Sequence, residues 1–158
     1  MPILQHLSRR HSAMTHSIHF EVLDPIKVPI IKKLYKAHYP GTKVKKDEQI
    51  VVAIQDNQTI GVVRFRRVEE HQLMTGMLII PSQREKGLAH CLLKYCAEGL
   101  LNEKVFCFAY RHLEPFYAQH SFVTVSSEQL PNSLKQKFLR YSESGKDLVP
   151  MQYQAQIR

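Results

Sequence analysis

Residues 80–89, Ile-Pro-Ser-Gln-Arg-Glu-Lys-Gly-Leu-Ala, have a composition suited to binding an anion. They join an apolar segment to a strongly periodic helical segment, so the unpaired backbone N–H groups of a helix start are expected here. Gly87 and Ala89 are small enough to let a ligand approach that backbone closely. Arg84 and Lys86 add positive charge beside it. The stretch therefore favours a diphosphate over a single carboxylate.

The same stretch departs from two familiar nucleotide-binding patterns. It is not Gly-x-x-x-x-Gly-Lys-Ser/Thr, and it lacks the spacing Gly-x-Gly-x-x-Gly. Nucleotide hydrolysis and hydride transfer are therefore disfavoured.

A helix and two strands must position this segment. From residue 87 to residue 100, apolar residues recur at i, i+3, i+4 and i+7, which predicts a helix. Its expected apolar face comprises Leu88, Cys91, Leu92, Tyr95, Cys96, Gly99 and Leu100. Residues 105–109 are continuously apolar, as in a buried strand, so the strand ending at Ile80, the helix and this strand should form a parallel β-α-β unit.

The remaining periodic segments complete a mixed fold. Pro29 is expected in the first turn of a helix whose apolar face carries Ile30, Ile31, Leu34 and Tyr35. Strands are predicted at residues 18–23, 50–54, 59–68, 72–80, 122–125 and 148–153, and further helices at 113–119 and 130–141. The predicted class is α/β, with a mixed, mostly antiparallel sheet, a central β-α-β unit and flanking helices.

Composition sets the broad class of protein. The 158 residues suit one domain, which we assign to residues 17–158, preceded by a basic, flexible arm at residues 1–16 that contains no acidic residue. A net charge of +8 favours a polyanionic ligand. No apolar run approaches the roughly 20 residues of a membrane helix, and three cysteines are too few for a disulfide scaffold. We therefore expect a cytoplasmic protein without membrane association.

The other reactive side chains have simpler interpretations. Cys91 and Cys96 are expected on the buried helix face and Cys107 on the apolar strand, where thiols behave as small hydrophobic groups. A catalytic cysteine paired with His112 or His120 is therefore the weaker alternative. None of the nine histidines has the spacing of a metal site, so no metal is expected.

The segment at residues 80–89 resembles motif A of the Gcn5-related N-acetyltransferase (GNAT) superfamily. In that family, a strand ending in Val/Ile-x-Pro leads into Arg/Gln-x-x-Gly-x-Gly/Ala, which here reads Arg84-x-x-Gly87-x-Ala89. Residues 116–122, Phe-Tyr-Ala-Gln-His-Ser-Phe, are similar to the family's Phe-Tyr-x-x-x-Gly-Phe. A hairpin containing Gly61 precedes motif A, as in the family, and the resemblance spans residues 50–125.

This resemblance implies a GNAT-like acyl-CoA N-acyltransferase fold with acetyl-CoA as co-substrate. In the family, the motif A amides hold the diphosphate and the preceding strand pairs with the pantetheine. The cofactor-binding residues implied here are Leu78, Ile79, Ile80, Arg84, Glu85, Lys86, Gly87, Leu88 and Ala89. The resemblance also implies that a primary amine attacks the thioester directly while Tyr117, protonated at neutral pH, acts as general acid to the CoA thiolate.

Three departures from the family pattern limit what carries over. Ser121 stands where the family has glycine, which affects the local turn. Residues 110–117 lack the family's asparagine and alanine, so one side-chain contact to pantetheine is lost. Leu73 occupies the position at which many members carry a glutamate base. The base therefore stays open between water and three residues of a turn expected beside the site, Glu69, Glu70 and His71.

Together these features favour an acetyl-CoA-dependent N-acetyltransferase acting on a primary amine of a small molecule or peptide, the acceptor being unassigned. One alternative is a basic nucleic-acid-binding module, for which Arg64, Arg66 and Arg67 offer a surface, although a solvated strand face is the commoner outcome. Such a module lacks the regularly placed aromatic residues of stacking platforms. Another alternative is a non-catalytic acyl-CoA-binding domain. The oligomeric state stays open, a homodimer included.

Overall fold

A computed structural model describes residues 18–155, which form a mixed sheet flanked by helices. The strands are β1 (Ile18–Val22), β2 (Gln49–Gln55), β3 (Gln58–Val68), β4 (His71–Ile79), β5 (Val105–Tyr110), β6 (Phe122–Thr124) and β7 (Leu148–Tyr153). The helices are α1 (Val28–His38), α2 (Leu88–Ala97), α3 (Glu114–Ala118) and α4 (Asn132–Glu143). The arm assigned to residues 1–16 lies outside the described residues.

The sheet has the order β1-β2-β3-β4-β5-β7-β6. Only β4 and β5 pair in parallel, and α2 connects them, whereas every other pair is antiparallel. This confirms the predicted α/β class with its central β-α-β unit. The hairpin between β2 and β3 turns at Asp56 and Asn57, whose φ angles of 51° and 63° suit the two central positions of a type I′ turn.

Consecutive residues of the central strands pack on opposite faces of the sheet. On β3, Val62 belongs to a hydrophobic cluster with α1, and Val68, six residues on, to a cluster with α4. Val63 lies between them on the other face and packs with α2 and Tyr117 of α3. One face of the sheet is therefore covered by α1 and α4, and the other by α2 and α3.

Two side chains predicted to be buried are exposed. Ile30 on α1 is 56% exposed, because this helix turns a narrow stripe centred on Ile31 and Tyr35 toward the sheet. Cys91 on α2 is also exposed, since Leu93 rather than Cys91 packs beside Leu92 in the core. Each residue flanks the buried row of its own helix, and the i, i+3, i+4 spacing does not discriminate between the two sides of such a row.

No helix within residues 18–155 is long and apolar enough to cross a membrane.

Candidate active site

The central feature of the site is a gap between β4 and β5. These strands pair only from Gln72↔Val105 to Met74↔Cys107, yet β4 continues to Ile79 and β5 to Tyr110. Beyond Cys107, β5 still pairs with β7 on its other edge. The edges of β4 and β5 that face each other in this half of the sheet are therefore unpaired and can accept an extended ligand.

A β-bulge lies where β4 leaves β5. On β3, Val62 pairs with Leu78 and Arg64 with Thr75, so the single residue between them faces two residues of β4. One of these is Gly76, whose φ is +67°. A Cβ atom there would come within 2.7 Å of the Tyr35 hydroxyl and the Arg64 Nε. Glycine is required at this position both by its backbone conformation and by its neighbours.

Three buried side chains hold this bulge in place. The Tyr35 hydroxyl donates a hydrogen bond to the Gly76 carbonyl (2.5 Å) and accepts one from the Arg64 Nε (3.1 Å). The Arg64 guanidinium also donates to the Glu48 carboxylate at 2.5 and 2.9 Å. Arg64 and Glu48 side chains are 7% and 1% exposed, so either charge without the other would be uncompensated in the interior. Burial raises the pKa of Tyr35 to about 12, which keeps the phenol protonated for its bond to Gly76.

This network corrects the expectation that Arg64 lies on a solvated strand face. The sequence contained one signal for it. Arg64 follows Val62 by two residues and so lies on the same face of β3, which packs against α1. A cation at such a buried position needs an acidic partner. The partner, Glu48, lies in the loop after α1, and neither its role nor that of Tyr35 was inferred.

A cavity of about 790 Å³ passes through the gap. Its walls include Tyr35 and Arg64 on the face covered by α1 and α4, and Met74, Cys107 and Tyr117 from the side of α2 and α3. Side chains of both faces line one cavity because the sheet is open between β4 and β5. Two reactants approaching from opposite faces can therefore meet there.

Tyr117 lies at the α2 and α3 side of this cavity. Its ring packs edge-on against Phe116 and Phe122, with centroids 5.0 and 5.8 Å away, and 8% of the residue is exposed. Burial raises the pKa of Tyr117 above its usual value, and Cys107 contributes in the same direction. The phenol stays protonated at neutral pH. Among residues 18–155, no hydrogen bond engages its hydroxyl group, which leaves that proton available to a ligand.

The start of α2 provides the second part of the site. Gly87 is the N-cap residue with φ +81° and makes no side-chain cap, and a Cβ at Gly87 would meet nothing within 4 Å among the described residues. The first N–H groups of α2 therefore have no side-chain cap from Gly87, and the space beside Gly87 is open. Leu88 anchors this turn by packing near Gly61 of β3. Arg84 donates to the Ile79 carbonyl at 2.9 Å, which ties the loop to the end of β4.

Of the other implied cofactor residues, Leu78 is fully buried, Ile79 and Ile80 are half-buried, and Glu85 and Lys86 are exposed beside the helix start. Ala89 occupies the first turn of α2. The structure thus brings the residues from 78 to 89 together as one strand end, loop and helix start.

The three residues considered for a base lie elsewhere. Glu69, Glu70 and His71 line a shallow depression with Asp47 and Arg67 at the turn between β3 and β4. That turn lies at the end of the sheet where β4 and β5 are still paired. At about 3.3 Å per residue along β4, the turn is roughly 17 Å from the bulge at Gly76. The expectation that the turn opens beside the site is therefore wrong.

Ser121, which stands at the family's glycine position, adopts a φ of +68°. Its backbone carbonyl accepts a hydrogen bond from the Gln154 N–H at 2.8 Å, which ties the turn to the end of β7. The turn geometry is thus kept with a non-glycine residue, at the steric cost of the left-handed region.

Within residues 18–155, no hydrogen bond joins a thiol to a histidine, so the two form no nucleophilic pair there. Burial raises the pKa of Cys96 to about 12 and that of Cys107 further, so both thiols stay protonated. His120 instead shares a hydrogen bond of 2.8 Å with His90, and burial, His90 and Lys94 lower its pKa. Within residues 18–155, no three His, Cys, Asp or Glu side chains are grouped to hold a metal ion.

Comparison with known families identifies the class of protein. The family described as "Acetyltransferase (GNAT) domain" matches residues 27–137, which is more than half of the chain. The chain therefore belongs to the GNAT acetyltransferase family, and acetyl-CoA as co-substrate fits this family. A comparison with curated proteins finds no match.

Solved structures share the fold at low sequence identity. N-acetylglutamate synthase from Neisseria gonorrhoeae, complexed with coenzyme A and N-acetyl-glutamate, superposes with a TM-score of 0.63 at 14% identity. The match covers 89% of this chain but 35% of that one, so this chain spans about a third of the synthase. An acyl-CoA N-acyltransferase from Pseudomonas aeruginosa superposes with a TM-score of 0.62 at 17% identity, and the match covers 87% of this chain and 100% of that one. Rv2747 from Mycobacterium tuberculosis, solved in complex with CoA, superposes with a TM-score of 0.64 at 15% identity, and the match covers 87% of this chain and 99% of that one.

Proposed function

We propose that this protein is an acetyl-CoA-dependent N-acetyltransferase that binds its donor in the gap between β4 and β5. The observation that carries the proposal is the early end of the β4–β5 pairing, next to the uncapped start of α2. A pantetheine arm is extended and bears amide groups, so it can pair with the unpaired edge of β4. A diphosphate at one end of that arm would meet the N–H groups around Gly87, with Arg84 and Lys86 nearby.

This placement directs the thioester toward Tyr117. The amine nitrogen attacks the thioester carbonyl carbon, the C–S bond breaks, and the sulfur takes the phenolic proton of Tyr117. The attacking nitrogen loses its own proton to water, since Glu69, Glu70 and His71 line no part of the cavity, and a proton from water restores the Tyr117 phenol. The network of Tyr35, Arg64 and Glu48 contributes by fixing the β4 bulge, which keeps the backbone beside the reacting carbonyl in one position.

Acetyl-CoA should stabilise the folded protein by mass action. At a concentration of one hundred times its dissociation constant, the expected increase in the free energy of unfolding is about 2.7 kcal/mol. The increase is measured as a rise in melting temperature during titration with acetyl-CoA. The protein must first be shown to be free of co-purified CoA.

A matched titration with an oligonucleotide at low and high salt distinguishes the nucleic-acid alternative. Stabilisation by the oligonucleotide that disappears at high salt, with no response to millimolar acetyl-CoA, would reject the proposed function. Stabilisation by acetyl-CoA without turnover of any amine would instead favour a non-catalytic acyl-CoA-binding domain.

A further inference from the structure

The cavity is strongly basic on the side covered by α1 and α4, across the sheet from Tyr117, which we call the basic end. Lys43, Lys45, Arg66 and Lys146 line it there, while Glu48 is the single acidic residue of the lining within the described chain. The Glu48 carboxylate is already paired with Arg64. Among residues 18–155, the other four cations have no ion-pair partner. This end of the cavity therefore holds uncompensated positive charge.

The same charges interact with α4. Burial, followed by the like charges of Arg66, Arg140 and Lys45, lowers the pKa of Lys137. Lys137 and Arg140 lie on α4, whereas Arg66 lies on β3 and Lys45 in the loop after α1. Cations from three separate parts of the chain thus converge beside the cavity. No ion pair within residues 18–155 involves any of these four side chains, so a bound anion would relieve their mutual repulsion.

This basic end is separate from the proposed donor site. None of residues 78–89 lines the cavity, and the basic side chains near the diphosphate site, Arg84 and Lys86, follow the far end of β4. The phosphates of CoA therefore do not account for the charges at Lys43, Lys45, Arg66 and Lys146. These charges are therefore available to a second anionic group, and the remaining reactant is the acceptor.

We infer that the acceptor is a small amine carrying at least one carboxylate or phosphate group, which the basic end of the cavity binds while the amine points toward the gap. This inference rests on the proposed function. Polyamines and other cationic amines would add like charge to a site that holds no free carboxylate. The surrounding cations also favour the neutral form of the amine, which is the form that attacks a thioester.

Tyrosine side chains add to this selectivity. Tyr39, Tyr110 and Tyr141 line the same end of the cavity, and the Lys146 ammonium lies 5.5 Å from the centroid of the Tyr141 ring. These phenols can donate hydrogen bonds to an anionic group. The cation–π contact keeps Lys146 near the cavity rather than in open solvent.

The test compares primary amines that differ in charge. Glutamate and O-phosphoethanolamine represent the two anionic groups, ethanolamine is the uncharged reference in its free-amine form, and putrescine is cationic. Initial rates of thiol release from acetyl-CoA give kcat/KM for each. We expect at least one anionic amine to exceed ethanolamine by about tenfold or more, and this ratio to fall as salt is raised from low to physiological concentration. The better of the two anionic amines shows whether carboxylate or phosphate is preferred.

Substitutions locate the effect. Arg66→Gln and Lys146→Gln should each reduce the ratio of anionic-amine to ethanolamine kcat/KM severalfold. Lys32→Gln, on the exposed side of α1, is the matched control and should leave the ratio unchanged. Calorimetry with acetyl-CoA is run in parallel on every variant. If the unmodified protein does not bind acetyl-CoA, the proposed function itself is rejected.

Two results with donor binding intact would overturn the inference alone. One is a kcat/KM for putrescine or ethanolamine that equals or exceeds those of both anionic amines. The other is a ratio of anionic-amine to ethanolamine kcat/KM that neither Arg66→Gln nor Lys146→Gln reduces.

Discussion

Replacing Tyr117 with phenylalanine is expected to reduce kcat by about 10²–10⁴-fold, the usual contribution of a general acid. The substitution keeps the ring, which packs between Phe116 and Phe122, and removes only the hydroxyl group that faces the cavity. Because that proton is needed only as the thiolate leaves, the affinity for acetyl-CoA should stay nearly constant. The measurement combines steady-state rates with calorimetry for acetyl-CoA.

The assay must be run where chemistry limits turnover. Since burial raises the pKa of Tyr117, the phenol remains protonated through the neutral range, and the loss should persist across that range. Tyr153→Phe serves as the control, because that ring also packs on Phe122 but does not line the cavity. An unchanged kcat in Tyr117→Phe would show that Tyr117 serves only in packing and that water protonates the sulfur.

The second large effect is expected for Gly87→Glu, which should abolish measurable CoA binding while the protein stays folded. The new side chain would enter the open space at the start of α2, where nothing lies within 4 Å of the Cβ position. Its negative charge would repel the diphosphate, and its carboxylate would accept hydrogen bonds from the N–H groups at the helix start in place of the ligand. Isothermal titration calorimetry with CoA measures the change.

Backbone strain must be separated from this effect. Gly87 has a φ of +81°, so any other residue costs roughly 1–2 kcal/mol there. Gly87→Ala carries the same strain without the carboxylate and should lower the melting temperature by a similar amount while retaining CoA binding. If Gly87→Glu binds CoA as well as Gly87→Ala does, the diphosphate lies at another place on the molecule.

The parts of the fold that depend on local pattern were predictable from sequence. The β2–β3 hairpin, α2 and β7 were located by periodicity and turn residues, which are patterns read from residues close together in sequence. The bounds of β7, residues 148–153, agree fully. Gly87 and Tyr117 were located by motifs whose backbone and ring requirements are also local.

The features that depend on distant partners were not predictable in this way. The β4 bulge is held by Tyr35, 41 residues from Gly76 in sequence, and by Arg64, whose partner Glu48 is 16 residues away. The position of the β3–β4 turn relative to the site depends on how far β4 and β5 stay paired, which periodicity does not encode. The charge of the cavity likewise results from three segments that meet only in the folded chain.

We expect CoA to lie in the gap between β4 and β5 with its sulfur beside Tyr117. A crystal structure of the CoA complex measures this through the distance between the CoA sulfur and the Tyr117 hydroxyl oxygen. The diphosphate should lie on the N–H groups at the start of α2, the pantetheine along the unpaired edge of β4, and the sulfur within about hydrogen-bond reach of Tyr117. CoA bound instead in the depression formed by Asp47, Arg67 and His71, or with its sulfur turned away from Tyr117, would rule out this binding mode.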